Sequence, residues 1–298
     1  MNTENLPLVT VICNCYNQEL YVWEALESVA KQSYTNIELI VINNGSTDQT
    51  YNVIQKFVLQ YPKTVFINLP TTISHNKAFN LAFKKSKGNF LIDLSGDDRL
   101  LPDCIEKHVY FFASQDENVG LIFGNANNID PNGKFINHYF AVNDNGKVLD
   151  QNLFTTSYES LLSGGLCMCS VSAMMRRKHF ELLNGYNENL VFEDLDYWLR
   201  LSYSHRIAFL DHFLVEKRNL GGSLGNQLHQ KNNFAKKINH SLMMIYTEAI
   251  KRNSSKENKA LLKRIHYSIE QCYLNNNWLD FLKFFLLELK CKISIYFK

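Results

Sequence analysis

The sequence predicts an α/β fold built on a mainly parallel, doubly wound sheet flanked by helices. Short apolar runs alternate with segments of helical periodicity through the first hundred residues, the pattern of repeated strand–helix–strand units. One run, IELIVIN (37–43), is apolar at almost every position, as expected for a strand covered on both faces. Because ligands bind beyond the carboxyl ends of such strands, polar residues that follow each strand are the first candidates for a site.

Four strands and three helices are predicted before residue 100. The strands are expected at 8–13, 37–43, 64–69 and 89–94. The helices between them are expected at 20–32, from about 47 to 59, and at 74–85. In the first helix, apolar side chains recur on one stripe at Val22, Ala25, Leu26, Val29 and Ala30. Pro102 suits the first turn of the next helix.

The pattern after residue 119 is less regular. A buried strand is predicted at 165–177, a short helix at 178–187, a further helix at 192–204 and a strand at 206–218. A glycine-rich break then precedes an Asn- and Lys-rich segment with helical periodicity. We therefore expect a main domain at 1–225 and a helical C-terminal extension at 226–298.

Composition excludes several classes of protein. With 46% hydrophobic and 20% charged residues the chain resembles an ordinary globular protein. A formal charge of +2 gives no basic excess for binding nucleic acid. The seven cysteines form no CxxC pair and are interpreted as buried free thiols. The sequence shows neither a signal peptide nor a run of about 18 apolar residues, so a cytoplasmic protein is expected.

An acidic pair follows the fourth predicted strand, in LIDLSGDDRLLP (91–102). Asp97 and Asp98 fall just past the strand end, at the ligand-binding edge of the sheet. Carboxylate oxygens there are typical ligands of Mg²⁺ or Mn²⁺, which keep open positions for phosphate oxygens. The alternative is that both are turn residues, or that one of them forms an ion pair with Arg99.

A second acidic pair lies in FEDLDYWLR (192–200). A carboxylate in the first turn of this helix could act as general base, with Glu193 and Asp194 as the candidates. The alternative is an acidic turn that complements the helix dipole, with Glu193 pairing loosely with Arg200.

Asparagines follow the first two strands, in NCYN (14–17) and NNGS (43–46). An asparagine amide offers both a donor and an acceptor and can read the edge of a nucleobase. Before a glycine, however, Asn44 is as readily a turn residue.

Five segments in order resemble glycosyltransferase family 2: VTVICNCYN, IELIVINNGSTDQT, KAFNLAFKKSKGNFLIDLSGDD, NGYNENL and FEDLDYWLRL. The resemblance covers about residues 7 to 224. It implies a GT-A fold, an inverting transfer of sugar from a nucleotide-sugar, most readily a UDP-sugar, and Mg²⁺ or Mn²⁺ as cofactor. The acceptor it implies is a glycan or lipid-linked oligosaccharide in bacterial surface-polysaccharide synthesis.

The resemblance also implies a role for individual residues. Asp97 matches the metal-binding Asp of the family's DxDD motif, with Asp98 following it, and Asp194 matches the base, with Glu193 orienting the acceptor. Arg218 and Ser223 match a diphosphate or acceptor region. The residues expected near the nucleotide-sugar are Asn14, Tyr16, Asn17, Asn44, Lys77, Asn80, Ser95 and Gly96.

The chain departs from the family pattern at three places. Ser95 replaces the first Asp of DxDD, Asn43 and Asn44 replace the acidic pair that reads the base, and Leu220 replaces a histidine. These changes leave a non-catalytic nucleotide-sugar-binding subunit as the alternative, although such a subunit would have no use for a base at Asp194. A nucleotidyltransferase is disfavoured because no glycine-rich phosphate loop follows the first strand.

The C-terminal segment WLDFLKFFLLELKCKISIYF (278–297) predicts an amphipathic helix. Its predicted apolar stripe is flanked by lysines and consists of Trp278, Phe281, Leu282, Phe285 and Leu289. Such a helix either lies in a membrane interface or packs on protein. Peripheral membrane contact through 278–298 and protein packing are both left open.

Overall fold

The computed structural model describes residues 6–164, 168–221 and 233–297. The strands are β1 Val9–Cys15, β2 Ile37–Asn44, β3 Val65–Leu69, β4 Phe90–Ser95, β5 Arg99–Leu100, β6 Val119–Ile129, β7 Phe135–His138, β8 Met174–Arg176 and β9 Arg206–Arg218. The helices are α1 Val22–Ala30, α2 Thr50–Gln60, α3 His75–Phe83, α4 Cys104–Ala113, α5 Tyr158–Ser163, α6 Arg177–Leu182, α7 Asp194–Ser202, α8 Asn233–Arg252, α9 Ser255–Leu274 and α10 Trp278–Phe297.

One sheet joins the strands of the described ranges in the order β3-β2-β1-β4-β8-β6-β9-β5, with β7 alongside β6. Strands β3, β2, β1 and β4 run parallel, and so do β6 and β9. The short β8 is antiparallel to both β4 and β6 and joins the two halves. The sheet is therefore mainly parallel, as predicted.

Helices cover both faces of the sheet. One apolar cluster packs α1, α2 and α4 against residues such as Val11, Val41 and Ile92. The other packs α3, α5 to α7 and the C-terminal helices against Ile12 and Ile40. Since successive side chains of a strand point to opposite faces, neighbouring residues of β1, β2 and β4 divide between the two clusters. This doubly wound α/β architecture confirms the predicted fold class.

The predicted elements agree with the structure except between 165 and 177. In place of one buried strand, the described part of this segment has a 3₁₀ turn at Ser170–Ser172 and the three-residue β8. The segment is apolar and buried, but a short apolar run alone does not distinguish a strand from a turn within the core.

The C-terminal helices pack on the main domain. Apolar residues of α8, α9 and α10 belong to the same cluster as residues of the sheet. The predicted boundary near residue 225 lies outside the described residues.

None of the helices in the described ranges is both long and apolar enough to cross a membrane.

Candidate active site

The carboxyl edge of β4 faces the start of α7 across a pocket. Asp93 and Ser95 lie on the same face of β4, because they are two residues apart in a strand. Glu193 is the N-cap of α7 and Asp194 its first residue. The pocket between them is lined by His75, Asp93, Ser95, Leu121, Ser170, Val171, Ala173, Met175, Tyr186, Glu193, Asp194, Tyr197 and Trp198. The structure thus brings the predicted base and the predicted serine to one pocket.

The two carboxyl groups at the start of α7 resist ionisation. Burial, together with the negative charges of Asp194 and Asp93, raises the pKa of Glu193 to about 7, although His75 opposes the shift. Burial also raises the pKa of Asp194, while the backbone N–H of Leu195, 2.6 Å from its Oδ1, opposes that shift. A carboxylate with a raised pKa in a pocket is well suited to accept a proton.

His75 provides a positive charge close to these carboxylates. Its Nε2 lies 2.8 Å from Oδ2 of Asp93 and its Nδ1 lies 3.0 Å from the Asn14 amide nitrogen. Burial alone would lower the pKa of His75, but Asp93, Glu193 and Asp194 raise it to about 10. The imidazole retains 32% exposure, so solvent screens part of this attraction. The direction of the shift makes His75 a cation at neutral pH.

The Asn14 amide contacts His75 and can accept from it or donate to it, depending on its orientation. As oriented, its nitrogen faces Nδ1 of His75 while its Oδ1 is buried without a hydrogen-bond partner. Amide oxygen and nitrogen are assigned from the hydrogen-bond network. Rotating the amide by half a turn lets Oδ1 accept from a protonated Nδ1 and places the amide NH2 where Oδ1 had no partner. Asn14 therefore contacts His75 rather than the open edge of the sheet.

Asp97 lies beside the pocket in a polar cluster. Its Oδ1 accepts hydrogen bonds from Ser95 Oγ and, at 2.8 Å, from Gln18 Nε2. A side chain at Gly96 would collide with Gln18 and approach Cys15 Sγ to 2.9 Å, so glycine permits this arrangement. The second oxygen, Oδ2, accepts no hydrogen bond from the part of the chain that the structure describes. One carboxylate oxygen thus remains for a cation.

Asp98 and Arg218 bind other parts of the chain, and their predicted roles stay predictions. The Oδ1 of Asp98 accepts a 2.7 Å hydrogen bond from the Arg218 backbone N–H. Burial, with the charge of Asp97, raises the pKa of Asp98 to about 7. The Arg218 side chain, 1% exposed, donates to carbonyls of Asp97, Asp130 and Pro131 and pairs with Glu24. Both residues therefore connect the end of β9 to the turn that follows β4. Both are buried.

We predict that Arg218→Met lowers the free energy of unfolding by about 3 kcal/mol or more, because several backbone carbonyls lose their donor at once. Urea denaturation measures the change. Arg99→Met is the control, since the partly exposed Arg99 also pairs with Glu24 and should lose about 1 kcal/mol or less. Unchanged stability combined with weakened nucleotide binding would instead support the predicted contact with diphosphate.

The predicted base-reading residues differ in accessibility. Both polar atoms of the Asn44 amide bond the backbone of Ile73, at 2.9 Å each, which positions the loop before α3. Asn17 accepts from the Thr47 N–H at 2.8 Å and joins the loops after β1 and β2. Tyr16, 48% exposed, presents an aromatic ring at this edge. The Asn44 amide therefore holds the loop before α3. The Tyr16 ring remains accessible from solvent.

The remaining predicted residues lie on α3 and beyond β9. Asn80 is buried and holds Tyr186 through both backbone groups, at 2.8 and 3.0 Å, which positions the loop before α7. The predicted contact of Asn80 with the donor stays a prediction. Lys77 is exposed on α3. Ser223 lies outside the described residues.

Three residues in and beside the pocket, His75, Asp93 and Gln18, were not predicted as site residues. The sequence contains one signal for Asp93 and one for His75. Asp93 is a charge within an otherwise apolar strand, and a charge in a strand interior needs a partner. His75 occupies the first turn of a helix, where a cation is disfavoured by the helix dipole unless an anion lies close. The predicted pairing of Glu193 with Arg200 is also corrected, since Arg200 binds Asp196 at 2.7 Å.

Within the described ranges, one group has metal-ligand geometry. Ligand atoms of His75, Asp93 and Glu193 all lie within 4.8 Å of one another. Both imidazole nitrogens already face Asp93 and Asn14, so a cation there would have to displace a hydrogen bond. Asp97, the predicted metal ligand, is not part of this group.

This fold and pocket define a GT-A-type α/β protein with an acidic pair facing the sheet edge. The model of "Glycosyl transferase family 2" matches residues 10–183, more than half of the chain. The chain belongs to glycosyl transferase family 2.

Curated relatives agree with this assignment. An uncharacterized glycosyltransferase of Rickettsia felis is 30% identical over 215 residues, 71% of this chain and 34% of that protein. Chondroitin synthase of Escherichia coli is 27% identical over 200 residues, 67% of this chain and 27% of that protein. The chain therefore spans about a third of the length of these relatives.

Two solved structures share the fold. S. aureus TarS 1-349 in complex with UDP-GlcNAc superposes with a TM-score of 0.64 and 18% identity, covering 86% of this chain and 71% of that one. The mannosyltransferase PcManGT from Pyrobaculum calidifontis, in complex with GDP-Man and Mn²⁺, has a TM-score of 0.58 and 14% identity, covering 98% and 88%.

Proposed function

We propose that the protein is an inverting glycosyltransferase that transfers a sugar from a UDP-sugar to a glycan or lipid-linked acceptor in bacterial surface-polysaccharide synthesis. Residues 1–225 would form its catalytic unit and 226–298 a helical extension. The observation that carries the proposal is the Glu193–Asp194 pair, held in a pocket opposite the carboxyl edge of β4. Family membership and the UDP-GlcNAc complex of TarS support it.

Asp194 has the properties required of the base. Inversion needs the acceptor oxygen to attack from the side opposite the leaving group, so the base must be separate from the groups that hold diphosphate. Asp194 lies on α7, whereas Asp97 follows β4. In the proposed step Asp194 accepts the acceptor hydroxyl proton as its oxygen bonds to the sugar, while the bond to the nucleoside diphosphate breaks. The pocket aromatics Tyr186, Tyr197 and Trp198 offer rings for a sugar face.

A divalent cation fits beside this pocket. We propose that Asp97 holds Mg²⁺ or Mn²⁺ through its free oxygen, with Ser95 and Gln18 fixing the carboxylate. Such an ion stabilises the negative charge that develops on a diphosphate leaving group. Because Ser95 replaces one carboxylate, we expect the cation to bind weakly until diphosphate oxygens complete its coordination. The Mn²⁺ complex of PcManGT supports a divalent ion in this fold.

A glycan acceptor is supported by the relatives, since chondroitin synthase is among them. The acceptor must reach the mouth of the pocket at Asp194 and Trp198. A pocket lined by carboxylates would also exclude a strongly acidic group directly at the attacking position.

The donor is tested with a panel of UDP-, GDP- and dTDP-sugars and Mn²⁺, by measuring nucleotide release and binding. We expect binding of a UDP-sugar, with release of UDP that increases when an oligosaccharide acceptor is added. Binding without release for every acceptor would support the non-catalytic alternative. Preference for GDP- or dTDP-sugars would overturn the proposed nucleotide.

Metal dependence is tested on the Asp97→Asn variant by titrating UDP with and without Mn²⁺. Loss of the free carboxylate oxygen should remove most of the gain in affinity that Mn²⁺ provides, by roughly ten-fold or more. Glu24→Gln is the control, because Glu24 contacts Arg218 rather than the pocket. An Mn²⁺-dependent affinity equal to wild type would exclude Asp97 as the ligand.

A further inference from the structure

The last helix has an unusual distribution of apolar residues. Helix α10 packs on α9 and α8 through one face, formed by Asp280, Phe284, Leu287, Glu288 and Cys291. On a helix of 3.6 residues per turn, the opposite face should be polar if it meets only water. Here that opposite face, the α10 outer face, consists of Trp278, Leu279, Leu282, Phe285, Leu286, Leu289, Ile293, Tyr296 and Phe297.

The α10 outer face is both exposed and continuous. Leu279 is 63% exposed, Leu286 64% and Ile293 58%. These positions recur every three or four residues, so the stripe runs the length of the 20-residue helix, about 30 Å. Isolated exposed apolar residues are common on proteins, but a continuous stripe of this length marks a contact surface.

The charges beside the stripe have one sign. Lys283 and Lys290 follow one border of the α10 outer face and Lys292 the other, as the 100° step between successive residues requires. The two acids of α10, Asp280 and Glu288, are buried on the packed face. Every exposed charged side chain of α10 in the described range is therefore a lysine. Lys283 pairs with Asp280 at 3.2 Å and Lys292 with Glu288 at 3.1 Å, whereas Lys290 has no ion pair within the described residues. This border is complementary to an anionic surface.

The ends of the helix suit a lipid surface. Trp278 begins α10, and Tyr296 and Phe297, each 87% exposed, end it. Trp278 and Tyr296 have one polar edge, and such aromatic residues favour the boundary between lipid headgroups and acyl chains.

We propose that the α10 outer face binds the surface of an anionic lipid bilayer, with the helix axis parallel to it. The apolar stripe would enter the headgroup boundary while the flanking lysines contact anionic headgroups. The contact does not depend on the proposed sugar transfer. Together the two would place the Asp194 pocket where a lipid-linked acceptor is available.

The test is flotation of the full chain with vesicles of phosphatidylcholine alone or with 30% phosphatidylglycerol, the latter being the probe. We expect the wild type to float with the anionic vesicles and at least ten-fold less with neutral ones. The double variant Leu282→Glu/Leu286→Glu should lose at least ten-fold in flotation, and Lys290→Gln should lose less. Higher salt should weaken flotation of the wild type.

The matched control is Leu59→Glu/Leu182→Glu, which places the same charges on leucines 84% and 67% exposed elsewhere. It should float like the wild type, and circular dichroism should show equal folding of all variants. Absence of flotation, or equal flotation with neutral vesicles, would overturn the proposal. A wild-type dimer in light scattering that Leu282→Glu/Leu286→Glu converts to monomer would identify a protein interface and overturn it too. None of these outcomes depends on turnover of a nucleotide-sugar.

Discussion

Asp194→Asn is expected to lower kcat for sugar transfer by about 10²- to 10⁴-fold, the range for loss of a general base. The amide has nearly the same shape but cannot accept the acceptor proton. It can still receive the hydrogen bond from the Leu195 N–H, so the first turn of α7 should be kept. The rate of nucleotide release, measured with the donor identified in the nucleotide-sugar panel, gives kcat. Calorimetry measures the affinity for UDP, which should not change.

Two further variants make this result specific. Glu193→Gln should reduce kcat less than Asp194→Asn, because Glu193 is proposed to orient the acceptor. Asp144→Asn, in an exposed turn, should behave like the wild type. If Glu193→Gln produced the larger loss with unchanged UDP affinity, Glu193 rather than Asp194 would be the base.

The fold could be predicted from sequence because its signals are local. Apolar runs such as 37–43 identify β2, and helical stripes such as that of α1 identify the covering layers. The candidates for the base were also a local signal, since Glu193 and Asp194 are neighbours at one helix start; their role stays a prediction. The strand predicted at 165–177 was wrong, because the apolar residues of this segment are buried by tertiary packing and not by a regular strand.

The rest of the site depends on contacts that no local pattern records. Arg218 resembles a ligand-binding residue in sequence, yet it is held by Asp97 and Asp98, some 120 positions earlier. Asn44 and Asn80 are likewise polar residues after strands or on helices, but their amides bond backbone groups of distant loops. Buried polar groups must be satisfied, and backbone groups of such loops are the usual partners. A predicted polar site therefore mixes ligand-binding residues with residues that hold the loops in place.

His75 combines features of a residue that holds the structure and of a residue that lines the pocket. It is held by Asp93 and Asn14, as a structural residue is, and its ring is within 4.8 Å of a Glu193 oxygen. The carboxyl groups of the pocket would otherwise lie close together with like charge, since Asp93, Glu193 and Asp194 all approach one another. A cation in their midst lowers the free energy of the ionised state that a base requires.

His75→Gln is therefore expected to shift the acid limb of the kcat/KM profile upward by about 1–3 pH units, the range for an opposite charge as close as His75 is to Glu193. The sign follows from the charge. Loss of the imidazolium raises the pKa of Glu193 and Asp194 further, so the ionised base forms only at higher pH. Activity at pH 7 should fall ten-fold or more and recover as the pH rises. Tyr186 and Arg264 also influence these carboxyl groups and are unchanged in the variant.

The charge rather than the shape of His75 is tested with His75→Arg, which should leave the acid limb near its wild-type position even if kcat is reduced. His240→Gln, at an exposed site on α8, should have no effect on the profile. A His75→Gln enzyme with lower kcat but an unmoved acid limb would show that the imidazole only supports the loop before α3. A limb that moves with His75→Gln and returns with His75→Arg would establish that a fixed positive charge sets the pH at which the Asp194 pocket can accept a proton.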